Sequence, residues 1–244
     1  MAGTATGITA AAADTPHGFR TAPRNAGYPP PRGRKGPSRV HPSKPNDRLI
    51  VTAPLGHKVF TGSQLAAVAQ AAGPDGRVET TPQQYLLVTP PPGRRGAVIE
   101  ELEAAGLLVY ASGPAIRPLR VCGMCKGPVV EGLPAARALN AAVVGRPVPL
   151  PLKVAYSGCP NGCAEPLIHD IGVIKEGDGY AVYVGGRGSG QEPRVGRHLA
   201  LVAEGELPRL VERLVGLYAA EALGGERFPA FVDRVGLERL RAAG

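Results

Sequence analysis

An α+β fold is what this sequence predicts, and two observations carry that expectation. Residues 48–110 alternate short β-branched runs with helix-period runs in the order β-α-β-α-β. Further on, two strand-like runs flank a Glu176-Gly-Asp-Gly179 turn, and three helical stretches follow from Leu207 onwards.

In chain order, RLIVTAPLG (48–56) reads as a strand entering a turn. Thr61–Ala72 reads as a helix with Leu65, Val68 and Ala69 on one face and Ser63 in the cap region. Gly73–Gly76 is a turn. Arg77–Val88 is read as a second strand region that Pro82 marks as an edge or irregularity, and Pro90–Gly93 breaks it. Ala97–Ala105 is a helix stopped by Gly106, and Leu107–Tyr110 is a short strand. Gly132–Val144 is helical, Leu152–Tyr156 is a strand, and Asp170–Lys175 with Tyr180–Val184 form a hairpin. Leu207–Ala220, Glu226–Val235 and Leu237–Ala242 are the closing helices.

The chain of 244 residues is long enough for one large or two small domains with a sizeable core. Its net charge of +8 invites a nucleic-acid reading, but the distribution argues otherwise. Residues 1–48 hold eight Lys/Arg against two acids, a surplus of six, which leaves +2 for the other 196 residues. The folded body is therefore near neutral. The basic tail, residues 1–47, is rich in Pro, Gly and Ala without apolar periodicity and is predicted to be disordered. It would serve as a solubilising arm, or as a docking arm for an acidic electron donor. No apolar run reaches the ~18 residues of a membrane span, and the first residues lack the basic and apolar regions of a secretory signal. The chain is accordingly expected to be soluble and cytoplasmic.

The chemistry centres on the four cysteines. Cys122 and Cys125 form a C-x2-C pair; after 33 intervening residues Cys159 and Cys163 form a C-x3-C pair. Without a secretory signal, four cysteines point to metal rather than disulfides. Two close pairs beside a strand and a helix can converge four thiolates on one centre, as iron–sulfur clusters require. Gly158 and Gly162 let the backbone approach a cluster and aim N–H groups at its sulfurs. A four-cysteine zinc site competes with this reading, because C-x2-C is a common zinc half-site, and unligated cysteines remain a third. Spacing alone does not decide among them.

The segment SGCPNGCAEPLIHDIG (157–172) resembles the sirohaem and 4Fe–4S sulfite/nitrite reductase family. PLPLKVAYSGCPNGC is similar to the family's strand entering its C-x3-C. GRVETTPQQYLLV, VIEELEAAGL, GYAVYVGGRGSG and GERFPAFVDRVGLERLR resemble further family segments in the same order, so the likeness runs along most of 48–241. It implies a ferredoxin-like half-domain (48–118) followed by a sirohaem and 4Fe–4S binding α+β domain (119–244). The cluster ligands would be Cys122, Cys125, Cys159 and Cys163, with Cys163 shared between cluster and sirohaem iron. Lys153 matches one of two family lysines and is the expected catalytic cation. It would help to hold a small oxyanion, sulfite or nitrite, during a six-electron reduction. Sirohaem is an acidic macrocycle, so Arg187, Arg194 and Arg197 are expected to bind it, with Arg77, Arg117, Arg120 and His198 as further basic groups. Taken singly, each is ordinarily a solvated surface charge. Asp170 would brace the cluster loop, and His169 is read as structural.

Three departures from the family pattern stand out. The first pair is C-x2-C where C-x5-C is usual, Pro82 stands at an expected arginine, and Pro151 stands at an expected lysine. The last two remove cations from the anion site. Family members of full size carry two repeats and this chain carries one, which predicts a homodimer or a hetero-partner. Electrons would come from ferredoxin or a reductase subunit, because no dinucleotide fingerprint is present. An iron–sulfur electron-transfer subunit without sirohaem, or a zinc-stabilised binding module, are the alternatives.

Overall fold

Alternation of apolar residues sets the first sheet. In β1 (Leu49–Thr52), Leu49 and Val51 face one way and Ile50 the other, and all three are buried. In this computed structural model residues 47–55, 59–123, 132–188 and 192–242 are described. The expectations for the basic tail fall outside them, Asp47 excepted, as does Cys125.

The first half runs β1, α1 (Gly62–Ala72), β2 (Arg77–Thr80), β3 (Leu86–Thr89), α2 (Arg95–Ala104) and β4 (Leu108–Ala111). Its strands form an antiparallel sheet in the order β2-β3-β1-β4. This β-α-β-β-α-β path is the ferredoxin-like arrangement. The single strand region expected over 77–88 is corrected here: Thr81–Tyr85 turn the chain, and two paired strands result. Pro82 lacks the N–H that a continuous ladder needs, and Gln84 takes a φ of 66°. Thr81 Oγ1 donates to Tyr85 O at 2.7 Å and pins the turn.

Helix α1 starts at Thr61 rather than around Ser63. Thr61 Oγ1 accepts the Gln64 N–H, and the Gln64 side chain accepts the Thr61 N–H, a closed capping box. Leu49, Val51, Val68, Val88, Val98, Leu102 and Leu107 fill the core between sheet and helices. The other sheet face is covered as well. Tyr110, cross-strand from Ile50, lies beside Asn140 of α3 (Leu133–Val143), whose Oδ1 accepts the Leu119 N–H at 2.9 Å.

The second sheet has the order β5-β6-β7-β8-β9, with β5 (Arg120–Val121), β6 (Val154–Ser157), β7 (Ile171–Glu176), β8 (Gly179–Val184) and β9 (Arg197–Val202). The first three strands are parallel; the last three are antiparallel. A two-residue turn with Gly177 at φ 56° closes the β7–β8 hairpin. Strand β9 was not expected from the sequence. Three of its residues, Leu199 and the partly covered Ala200 and Val202, join the core, and exposed Leu201 between them breaks the apolar alternation. Helices α3, α4 (Leu207–Glu221) and α5 (Phe228–Ala242) cover the sheet, with Leu139, Leu214, Tyr218, Phe231 and Val232 in its core. Gly236, at φ 78°, interrupts α5 where the sequence predicts a break between two helices.

Candidate metal and cofactor site

Because β5, β6 and β7 run parallel, their carboxyl ends open on one edge of the sheet. Cys122 follows β5 and the Cys159–Cys163 segment follows β6, so both emerge at that edge. Contacts bind the two loops together. The Cys122 N–H donates to Tyr156 O at 3.1 Å, and the Gly158 N–H donates to Cys122 Sγ at 3.1 Å. Cys122 also packs against Ala155 and Ala164, small residues that let a sulfur come close to the backbone. Exposure grades outward, from buried Cys122 through half-buried Cys159 to exposed Cys163. Among the described residues no three His, Cys, Asp or Glu side chains already gather at metal-binding spacing.

The second loop holds a strained shape. Glu165 sits in the left-handed region at φ 55°, ψ 46°, which costs a non-glycine residue ~1 kcal/mol or more. Several bonds sustain it. The Glu165 N–H reaches Gly162 O at 2.7 Å, and the Ala164 N–H reaches Ser157 Oγ at 3.1 Å. Arg120 Nη1 pairs with Glu165 Oε2 at 2.8 Å. The Gly-Gly end of β8 presses on the same loop: a Cβ on Gly186 would lie 2.4 Å from Leu167 O and 2.5 Å from His169 O.

His169 is buried, with Nδ1 2.7 Å from Glu165 O and Nε2 3.0 Å from the Gln83 side-chain amide. A carbonyl can only accept, so Nδ1 carries the proton. Burial pushes the imidazole below its ordinary pKa, with the Arg120 and Lys153 charges acting in the same direction. In the neutral ring Nε2 is a bare acceptor, so Gln83, whose Oε1 faces it, donates there only with its amide turned over to present the NH2 group.

The expected cations divide into separate groups. Lys153 lies off the amino end of β6, about 15–20 Å along the strand from Cys159 at some 3.3 Å per residue. The structure thus places Lys153 away from the cysteine edge. It lines a cavity of ≈ 230 Å³ with Arg187, Arg227, His169 and Asp170. Asp170 Oδ2 accepts the Lys153 N–H at 2.8 Å, and its own carbonyl accepts the Gly185 N–H at 2.9 Å, so it braces the start of β7 rather than the cysteine loop. Burial pushes the Asp170 carboxyl up to about 6, against the opposing pull of Lys153, Arg227 and Arg187. Arg194 and Arg197 both pair with Asp233 on α5, the second at 3.0 Å. His198 meets the Tyr183 ring edge-on at 5.4 Å between centroids. Arg77 is exposed on edge strand β2, at the far end from the Thr81–Tyr85 turn.

Gln83, Glu165, Arg227 and Asp233 are site residues that sequence reasoning missed. Gln83 had a signal, its place in the TTPQQ segment; the others had none beyond their charge.

Two features test the fit of cofactors. The thiol donor set, with an N–H already aimed at Cys122 Sγ, suits an iron–sulfur centre. Arg120 Nε, two residues before Cys122, is buried without a hydrogen-bond partner, a donor that an anionic cofactor would satisfy, whereas the Arg117 N–H donates to Leu152 O at the other end of β6.

Cysteine loops converging at the open edge of a mixed sheet, beside a ferredoxin-like half, define an α+β protein of the cofactor-binding class. Residues 116–243, just over half the chain, match the Nitrite and sulphite reductase 4Fe-4S domain, and the chain belongs to that family. A cobalt-factor III methyltransferase from Priestia megaterium is 28% identical over 191 residues, 77% of this chain and 35% of that protein. A sulfite reductase [ferredoxin] 2 from Mycolicibacterium paratuberculosis is 32% identical over 216 residues, 79% of this chain and 38% of that protein. The structure of the Mycobacterium tuberculosis NirA protein superposes with TM-score 0.52 at 29% identity, over 79% of this chain and 39% of that one. The chain thus spans well under half the length of these relatives. No described helix is long and apolar enough to cross a membrane.

Proposed function

We propose that this chain is a sirohaem- and 4Fe–4S-dependent oxidoreductase that reduces a small oxyanion, sulfite or nitrite, in six electron steps. The observation that carries it is the meeting of the two cysteine loops, with Gly158 N–H on Cys122 Sγ and Cys122 packed on Ala164. Cys122, Cys125, Cys159 and Cys163 hold the cluster, and the exposed Cys163 is the thiolate left to face sirohaem. When bound, the pair supplies single electrons to the anion. The protein's own part is to position the ligands and offset negative charge. Arg120, two residues before Cys122, offers a buried donor to the macrocycle's carboxylates, while Arg187, Arg194 and Arg197 act from the Lys153 end of the sheet through their positive field. Lys153 acts at a distance through its positive field, not by contact with a group at the cysteines.

The donor is ferredoxin or a reductase subunit, as the name of the Mycolicibacterium relative illustrates. A second copy of the chain, or a partner repeat, supplies the half that a single repeat lacks. Val195 and Leu201 are exposed apolar residues near the β9 edge and suit such a contact.

A second reading has its own support. Pro82 and Pro151 remove two cations from the anion site, and one relative is named for methyl transfer to a cobalt-containing factor. On this reading a tetrapyrrole is substrate rather than resident cofactor.

Anaerobic purification tests both. Iron, labile sulfide and haem-like absorbance, with methyl-viologen oxidation by sulfite or nitrite, support the first. A tetrapyrrole that leaves the protein chemically changed supports the second. Stoichiometric zinc without sulfide removes both.

A further inference from the structure

We infer that the Arg120–Glu165 ion pair is a positioning clamp that joins the two cysteine loops and sets the charge beside the metal centre. The inference rests on the cluster reading above. Arg120 lies two residues before Cys122 and Glu165 two residues after Cys163, so their 2.8 Å contact closes a bracket around the ligands. Alternation along β5 puts Arg120 and Cys122 on one face, while Val121 faces the core. Arg120 pairs with Ala155 in the ladder, and Cys122 packs on that same Ala155 and on Ala164, the residue before Glu165.

Two details show that the pair is built rather than incidental. The Arg120 side chain is only 12% exposed although it carries a full charge, while the Glu165 side chain that meets it stays 53% exposed. Glu165 occupies a left-handed backbone position where glycine would fit without strain. The carboxylate at this position is the partner that Arg120 meets. Its backbone carbonyl takes the His169 Nδ1–H as well, so the clamp extends to Gln83 in the ferredoxin-like half.

The charge has a consequence of defined sign. A four-thiolate cluster is anionic and becomes more so on reduction, and its potential follows nearby charge. Glu165 partly offsets Arg120. Removing the carboxylate leaves a buried cation that favours the reduced cluster; removing the guanidinium does the reverse.

The test uses the full chain, reconstituted anaerobically, as wild type, Glu165→Gly, Arg120→Gln and the double variant. Iron and sulfide content, the rate of cluster loss to a chelator and the midpoint potential are read, with thermal unfolding of each apoprotein as control. Glu165→Gly relieves the backbone strain but leaves the largely buried Arg120 unpaired, opposed effects, so its apoprotein should unfold close to wild type. It should nonetheless lose its cluster several-fold faster and show a more positive potential. Arg120→Gln should shift the potential negatively. The double variant should return near the wild-type potential while keeping the fast loss. Wild-type loss rate and potential in Glu165→Gly overturn the clamp. So does a Glu165→Gly apoprotein that unfolds well below wild type, because the pair then serves the fold and not the ligands. Wild-type protein without iron or sulfide overturns the cluster reading and the clamp together, and metal analysis of that sample alone tells the two failures apart.

Discussion

Gln83 and His169, 86 positions apart, meet at 3.0 Å and tie the β2–β3 turn of the ferredoxin-like half to the loop that carries Cys159 and Cys163. Through His169 Nδ1 and the Glu165 carbonyl, the contact runs to within two residues of Cys163. Gln83→Leu removes the side-chain amide that meets the buried His169 ring, and the expected cost is ~1–2 kcal/mol. Hydrogen exchange should quicken in the 165–169 backbone. Unchanged exchange there would show that the turn does not restrain the loop.

Asp170 predicts a pH dependence. Its carboxyl is pushed up to about 6 in the fold from an ordinary 3.8. Between those values the folded chain keeps a proton that the unfolded chain has released, so this group's contribution to stability falls as pH rises. Asp170→Asn retains an acceptor for the Lys153 N–H and removes the charge. Its stability relative to wild type should be near equal at about pH 4 and rise by up to ~3 kcal/mol at neutral pH. His169 works in the opposite sense. Its lowered pKa means stability present above the unfolded value and lost as acid is added through the folded one. The comparison is therefore made between variant and wild type at each pH. A flat difference across the range would contradict the Asp170 assignment.

Gly186→Ala should be costly. The added Cβ would fall 2.4 Å and 2.5 Å from two backbone oxygens of the loop before β7, neither of which can rotate away. A loss of ~1–3 kcal/mol is expected, read by chemical denaturation, together with weaker cluster retention. By contrast Gly216→Ala, with open space around its Cβ position on α4, should be neutral or slightly stabilising.

Asp233 restrains Arg194 and Arg197, both partly exposed. Asp233→Asn should change stability by less than ~1 kcal/mol. If those arginines bind the macrocycle's carboxylates, the variant should take up sirohaem more tightly, seen as a lower midpoint in an absorbance titration. Weaker uptake would mean that Asp233 orients the pair and does not compete for it.

Cys122→Ser and Cys163→Ser should separate in effect. Cys122 is buried and accepts an N–H, so its loss should abolish cluster assembly. Cys163 is exposed, and its loss should spare some iron while removing magnetic coupling between cluster and haem. Equal, complete iron loss in both would end the assignment of Cys163 as the shared thiolate.

Much of the architecture was legible because it rests on local chemistry. The helix of 61–72, the 171–184 hairpin and the break at Gly236 follow from periodicity and glycine placement that need no partner. Strand β9 was not legible, since Arg194 and Arg197 at its start read as a ligand cluster until Asp233 is seen beside them. Nor was the β2–β3 turn: Pro82 marked an irregularity, but only the antiparallel pairing of β2 with β3 shows that the chain reverses there.

The sequence by itself determined the cysteine spacing, the α+β class and the family likeness, all of which depend on residue type and order along the chain. Only the tertiary structure decided which charges meet. It put Lys153 at the opposite end of β6 from Cys159, paired Arg194 and Arg197 with Asp233, and joined Arg120 to Glu165. The physical reason is that strand direction and sheet order, long-range properties, choose the neighbours of each side chain, and electrostatic energy depends on that distance and burial.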